Sequence, residues 1–141
     1  ARMMDFYLVN DAVSLVTSYR QRIDQDGNVL PEDASTARIA EDTRILPGCE
    51  AGKKLLCQGL NFIGGPTAVL IKKSLLKAGD FGWNERLGQE HCRYAYPDVP
   101  TWLQLLAQGD MAYIVEPLSQ YRVHDGQVKQ RFPMADEGPI C

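Results

Sequence analysis

Two glycine-bounded units, far apart in the chain, restrict its fold more than any other feature. One is Asn61-Phe-Ile-Gly-Gly-Pro-Thr-Ala-Val-Leu-Ile-Lys72. The other runs from Asp98 through Trp102-Leu103 and Leu105, past Gly109, into Ala112-Tyr-Ile-Val-Glu-Pro-Leu118 and on to Tyr121-Arg-Val-His124. In the first, the apolar run Thr67 to Ile71 sits between a Gly-Pro turn and two lysines, the pattern of a strand buried on both faces. In the second, Asp98 to Gln108 reads as a helix. Asp98 stands at its N-cap, and Pro100 falls in the first turn, where proline is tolerated. Trp102, Leu103, Leu105 and Leu106 form its apolar face, and Gly109 ends it. Met111 to Val115 and Leu118 to Val123 then read as two further strands. Strands separated by helices point to an α/β layer, although there are too few of them to complete a doubly wound sheet.

The remainder of the chain is consistent with that layer. Met3, Met4, Phe6, Tyr7 and Leu8 mark a short helix ending near Asn10-Asp11. Val13 to Ile23 reads as a strand with Arg20 and Arg22 turned outward. Asp24-Gln-Asp-Gly-Asn28 is a turn, with Gly27 supplying positive φ, and Val29-Leu30 is its return. Pro31 to Asp42 is polar and aperiodic and reads as loop. Glu50 to Gly59 reads as a helix with Leu55 and Leu56 inward and Gly59 closing it. Ser74 to Gly79 is a shorter helix. Phe81 to Tyr96 is a long irregular connection of the kind that often carries substrate contacts; His91 within it reads as structural.

At 141 residues the chain has room for one domain with a real core. A hydrophobic fraction of 45% against 23% charged residues excludes a disordered class. The net charge of −3, with Lys53-Lys54 and Lys72-Lys73 as its only basic pairs, argues against nucleic acid as a partner. Cys49, Cys57, Cys92 and Cys141 form no C-x-x-C pair and no zinc-like spacing, and read as free thiols in a reducing compartment. No apolar run reaches the ~18 residues of a membrane span. The chain opens without an initiating Met, in what reads as mid-helix, which implies a segment of something longer.

At the two units quoted above, and over roughly residues 2 to 127, the chain resembles family 2 glycosyltransferases of the GT-A fold. Val13-x-Leu-Val-Thr-Ser-Tyr19 with Ile23-Asp-x-Asp-Gly-Asn28 resembles the strand and hairpin that follow the family's metal-binding loop. Asn61-x-Ile-Gly-x-Pro-Thr-Ala-Val-Leu-Ile71, then Leu75-Leu-x-x-Ala-Gly-Asp-Phe81, resembles the stretch before the acceptor site. The resemblance implies residues 1–127 as the C-terminal, acceptor-side half of a partial Rossmann-like GT-A fold, a short mixed sheet flanked by helices. Residues 128–141 would be a loosely attached tail. It implies an inverting sugar transfer from a nucleotide-diphospho-sugar to a glycan or lipid-linked acceptor, as in cell-surface polysaccharide synthesis, with Mg²⁺ or Mn²⁺ in the complete protein. Asp98 would be the catalytic base and Trp102 would pack behind it. Asn61, Gly64 and Gly65 would shape the acceptor loop. Arg122 and His124 would face the donor diphosphate, with His124 also a candidate metal ligand. The location implied is the cytoplasm or the inner face of a membrane. The half holding the nucleotide is absent from this sequence, so the fragment alone is expected to be inactive.

Three departures bear on the site. Pro97 stands where many members carry a second carboxylate, Gln104 replaces a frequent arginine, and Pro100 is unusual in that first turn. Asp24-x-Asp26 matches the Asp-x-Asp metal pattern, but Gly27-Asn28 follows directly and a hairpin turn accounts for it better. A calcium loop fails too, because its glycine falls at the fourth position instead of the sixth. From residues alone, Asp98 as a plain N-cap and Asp98 as a base stand level. The rival reading for the whole chain is a non-catalytic protein- or glycan-binding α/β module. Either way, a half-sheet leaves an exposed edge, and self-association as a homodimer is the physical expectation.

Overall fold

The computed structural model describes residues 2–76 and 98–125. The expected Phe81–Tyr96 loop, the second half of the Ser74–Gly79 helix and the tail from residue 128 lie outside them. The described chain is α/β: a four-stranded mixed sheet with three α-helices among the described residues. In chain order the elements are α1 (Arg2–Val9), β1 (Val13–Ile23), β2 (Arg44–Leu46), α2 (Gly48–Gln58), β3 (Val69–Ile71), α3 (Val99–Leu106) and β4 (Asp110–Arg122). The sheet order is β2-β4-β1-β3, with β1 and β4 parallel in the middle and both edges antiparallel.

The two central strands are central because they are the most apolar. From Val13 to Tyr19 every residue of β1 is buried, and so is Met111 to Ile114 of β4. The two faces of this pair carry separate cores. On one, Leu15, Met111, Phe62 and Ile63 pack with Ala51 and Leu55 of α2 and Trp102, Leu105 and Leu106 of α3. On the other, Val13, Val16, Ala112 and Ile114 are covered by Met3, Phe6 and Tyr7 of α1. The Tyr7 hydroxyl donates to the Ser14 and Leu70 carbonyls at 3.1 and 2.9 Å, fastening α1 across β1 and β3. Burial pushes that phenol well above its ordinary pKa.

Two glycines allow the helices to meet. The first residue of α2, Gly48, lies so close to the end of α3 that a Cβ would land on the Leu106 and Gly109 carbonyl oxygens. Its N–H donates to Asp110 Oδ1 at 3.1 Å, tying α2 to the start of β4. Gly109 is crowded in turn by Ala12 and Ser14 of the β1 entry.

Several expectations change. Arg44–Leu46 is an edge strand that the sequence did not announce. The run Thr67–Ile71 is not a strand buried on both faces: a 3₁₀ turn takes Pro66–Ala68, and only Val69–Ile71 pairs, half-buried, at the sheet edge. Leu56 is 65% exposed, because on α2 it falls on the face away from Ala51 and Leu55. The two strands expected after Gly109 are one. Between the Ser18–Ile114 and Arg20–Ser119 pairs β1 advances two residues and β4 five, so the extra β4 residues form an irregularity around Pro117. Proline is tolerated in strands at such a bulge.

Candidate functional site

The loop between α2 and β3 is held by side chains at four consecutive carbonyls. Arg20 donates to the Asn61 and Phe62 carbonyls, both at 3.3 Å, and to Ser35 O at 2.6 Å. Thr17 Oγ1 donates to Ile63 O at 2.7 Å. Gly64 O accepts from Trp102 Nε1 at 3.0 Å and from Asn61 Nδ2 at 3.2 Å. Two elements thus set this loop, β1 through Arg20 and Thr17 and α3 through Trp102. Gly64 takes φ of +109°, a region natural to glycine, and a Cβ there would lie 3.1 Å from the Arg20 guanidinium. Gly65 has an extended φ of −75° and open space where a Cβ would go, so the shaping expected of the pair falls on Gly64 alone.

Asp98 faces this loop from the start of α3. It does not cap the helix: its backbone is already right-handed helical (φ −80°, ψ −28°), and its carboxylate makes no capping hydrogen bond. Its carbonyl accepts the Trp102 N–H at 3.0 Å, while its Oδ2 accepts Asn61 Nδ2 at 2.7 Å. Asn61 Oδ1 accepts the Gly64 N–H at 3.1 Å. Since an N–H can only donate, this contact fixes which way the Asn61 amide faces and aims its NH₂ at Asp98. Among the described residues, no hydrogen-bond donor occupies Asp98 Oδ1. Asn61, Gly64, Asp98 and Trp102 therefore form one constellation, with Trp102 fully buried behind it.

Arg20 is the member that sequence reading missed. It was expected to point outward, yet it is half-buried against the loop. Burial lowers its pKa from the ordinary value, while Tyr121, Asp33 and Asp98 act in the opposite direction. The available signal was the placing of Arg20 and Arg22, two residues apart on an otherwise buried strand.

Arg122 and His124 lie apart in role. Arg122 Nη1 donates to the Asp24 and Gln25 carbonyls at 3.0 and 2.7 Å, clasping the turn after β1. His124 is exposed, two residues past the end of β4. The Asp24 carboxylate is consumed by its own turn. Oδ1 accepts the Asp26 and Asn28 N–H groups at 2.9 and 2.8 Å, and Oδ2 accepts Asn28 Nδ2 at 2.9 Å. A single antiparallel bridge from Ile23 to Val29 closes the hairpin. Among the described residues no three His, Cys, Asp or Glu side chains converge as a metal site. Cys49 and Cys57 are free and exposed. No helix among the described residues is long and apolar enough to cross a membrane.

Comparison of the chain with protein-family models, with curated proteins and with solved structures returns no match in any of the three.

Proposed function

We propose that this chain is the acceptor-side half of an inverting GT-A glycosyltransferase of the family 2 kind, with Asp98 as its base. The observation that carries the reading is the state of that carboxylate. It sits at a helix start without capping it, one oxygen is tethered to Asn61, and the other accepts no hydrogen bond among the described residues. In the proposed step Asp98 takes the proton of an acceptor hydroxyl as that oxygen attacks the anomeric carbon of the donor sugar. The bond from the anomeric carbon to the phosphate oxygen breaks, and the nucleotide diphosphate leaves with the electron pair. Attack opposite the leaving group inverts the centre. Trp102 supports Asp98 from behind, and the Asn61–Gly65 loop borders the acceptor.

Among the described residues no three His, Cys, Asp or Glu side chains converge to hold a divalent ion, and Asp24 is occupied by its turn. On this reading Mg²⁺ or Mn²⁺ belongs to the donor half, and no step is routed through it. Arg122 and His124 would reach the diphosphate only from the rim, at and just past the end of β4.

In the intact parent protein, Asp98→Asn keeps the shape and an acceptor for Asn61 while removing the base. Sugar transfer should fall by about 10² to 10⁴-fold, the usual share of a general base, with the unfolding temperature unchanged. Undiminished transfer would overturn the reading in favour of the binding module. Self-association is part of the same proposal, because β4 runs past its three-residue partner β2 and leaves Glu116–Arg122 unpaired by strand on that side among the described residues. Light scattering should show mass rising with concentration, and a constant monomer mass would remove it.

A further inference from the structure

We infer that Asn61 is a positioning residue for Asp98, acting through the carboxylate instead of binding substrate itself; this rests on the reading of Asp98 as base. Three observations carry it. The Asn61 side chain has no donor left for a ligand, and its oxygen is already engaged by the loop. Oδ1 holds the Gly64 N–H at 3.1 Å, and the two NH₂ hydrogens serve Gly64 O at 3.2 Å and Asp98 Oδ2 at 2.7 Å. The backbone beneath it is immobilised, with its carbonyl held by Arg20 and the next two carbonyls held by Arg20 and Thr17. The bond to Asp98 spans 37 positions of sequence and joins the loop to α3, so it is not a by-product of a local turn. A donor so fixed takes one lone-pair direction of the carboxylate and leaves the other oxygen for a hydroxyl proton. Displacing a reacting group by about 1 Å can cost roughly 10²-fold in rate.

The test uses Asn61→Ser in the intact parent. A serine hydroxyl can still accept the Gly64 N–H in a local turn, but it is too short to reach Asp98. Asn61→Ala, which gives up the turn as well, is the comparison. The expected result for Asn61→Ser is a fall in kcat of about 10²-fold with the acceptor KM unchanged. A raised KM at unchanged kcat would make Asn61 a binding residue and overturn the inference, as would an unaltered kcat beside an inactive Asp98→Asn. A fully active Asp98→Asn would instead remove the base reading itself. One further measurement needs no activity. In the NMR spectrum of this chain the Asn61 side-chain NH₂ signals should move on Asp98→Ala, whereas the backbone amide of Gly64 stays in place. Unmoved NH₂ signals would show that the two side chains are not bonded and would overturn the inference whatever the base proves to be.

Discussion

Asp98 and Asp24 both sit in polar turns at the end of a regular element, and both match a pattern that sequence alone associates with sugar transfer. The structure uses them in opposite ways. Asp24 spends both oxygens within four residues, on Asp26 and Asn28. Asp98 spends one on a residue outside its own helix, and among the described residues its other oxygen accepts no hydrogen bond. A carboxylate that satisfies its own turn is doing what Asx turns do everywhere. One that leaves its natural capping role empty and is held from across the fold has been given a fixed direction by another element. The same contrast runs through their surroundings: the Asn61–Gly65 loop is anchored by the core residues Thr17 and Trp102, while the Asp24 turn is clasped by the exposed Arg122.

The largest way to break this difference is to remove the support behind the junction. Trp102 is fully buried and donates to Gly64 O. Trp102→Ala should cost about 3–5 kcal/mol of stability in a denaturant titration. Trp102→Phe keeps most of the volume but leaves Gly64 O with one donor fewer, and should cost about 1–3 kcal/mol. A Trp102→Phe loss as large as that of Trp102→Ala would assign the support to the hydrogen bond instead of the packing. Neither effect has a counterpart at the Asp24 turn, where no side chain of the core takes part.

Two of the three positive-φ glycines among the described residues, Gly27 and Gly64, give a matched pair of smaller size. At Gly27, φ is +93° and a Cβ would meet nothing within 4 Å, so Gly27→Ala should cost only the backbone term of about 1–2 kcal/mol. At Gly64 the same backbone term applies, and the Cβ also presses on an Arg20 guanidinium that three carbonyls hold in place. Gly64→Ala should therefore cost about 1–3 kcal/mol more than Gly27→Ala, the range of an overpacked site. Equal losses, measured by chemical denaturation of the two variants side by side, would show that Arg20 gives way freely and that the junction is less rigid than its hydrogen bonds imply.

What the sequence disclosed, and what it hid, divides along the same line. Strand β1 was legible to the residue because Val13 to Ile23 carries its apolar pattern in one continuous stretch. The start of α3, the glycine closing α2 and the hairpin at Gly27 were legible for the same reason: each is local. Strand β2 was not, since Arg44-Ile45-Leu46 becomes a strand only by pairing with Met111 to Tyr113, some 65 residues away. Pro117 made one strand look like two. Asp98 could be named as a carboxylate at a helix start, but its pairing with Asn61 could not, and only the fold shows that its side chain does not cap the helix. Arg20 was read as a solvated charge because a buried arginine is uncommon; only the fold brings together the carbonyls of Ser35, Asn61 and Phe62 that make its burial tolerable.

The smallest effect is the acid response of the Asp24 turn. The Asn28 side chain first, with the Asn28, Asp26 and Gly27 N–H groups, holds the Asp24 carboxyl below its ordinary pKa and outweighs an opposing contribution from desolvation. A depressed folded-state pKa means the group adds stability above its unfolded value of about 3.9, and that this is lost as pH falls through the lower, folded value. The amide signals of Asp26 and Asn28 should therefore hold steady from neutral pH down past the ordinary carboxylate range and move only below it. Asp24→Asn keeps an acceptor oxygen and removes the titration, so its turn amides should show no such step. Because Asp24 is fully exposed, overall stability should barely change in either case. A step at or above the ordinary carboxylate range would mean that the turn does not commit the carboxylate. The distinction between the two aspartates would then fail at its structural end.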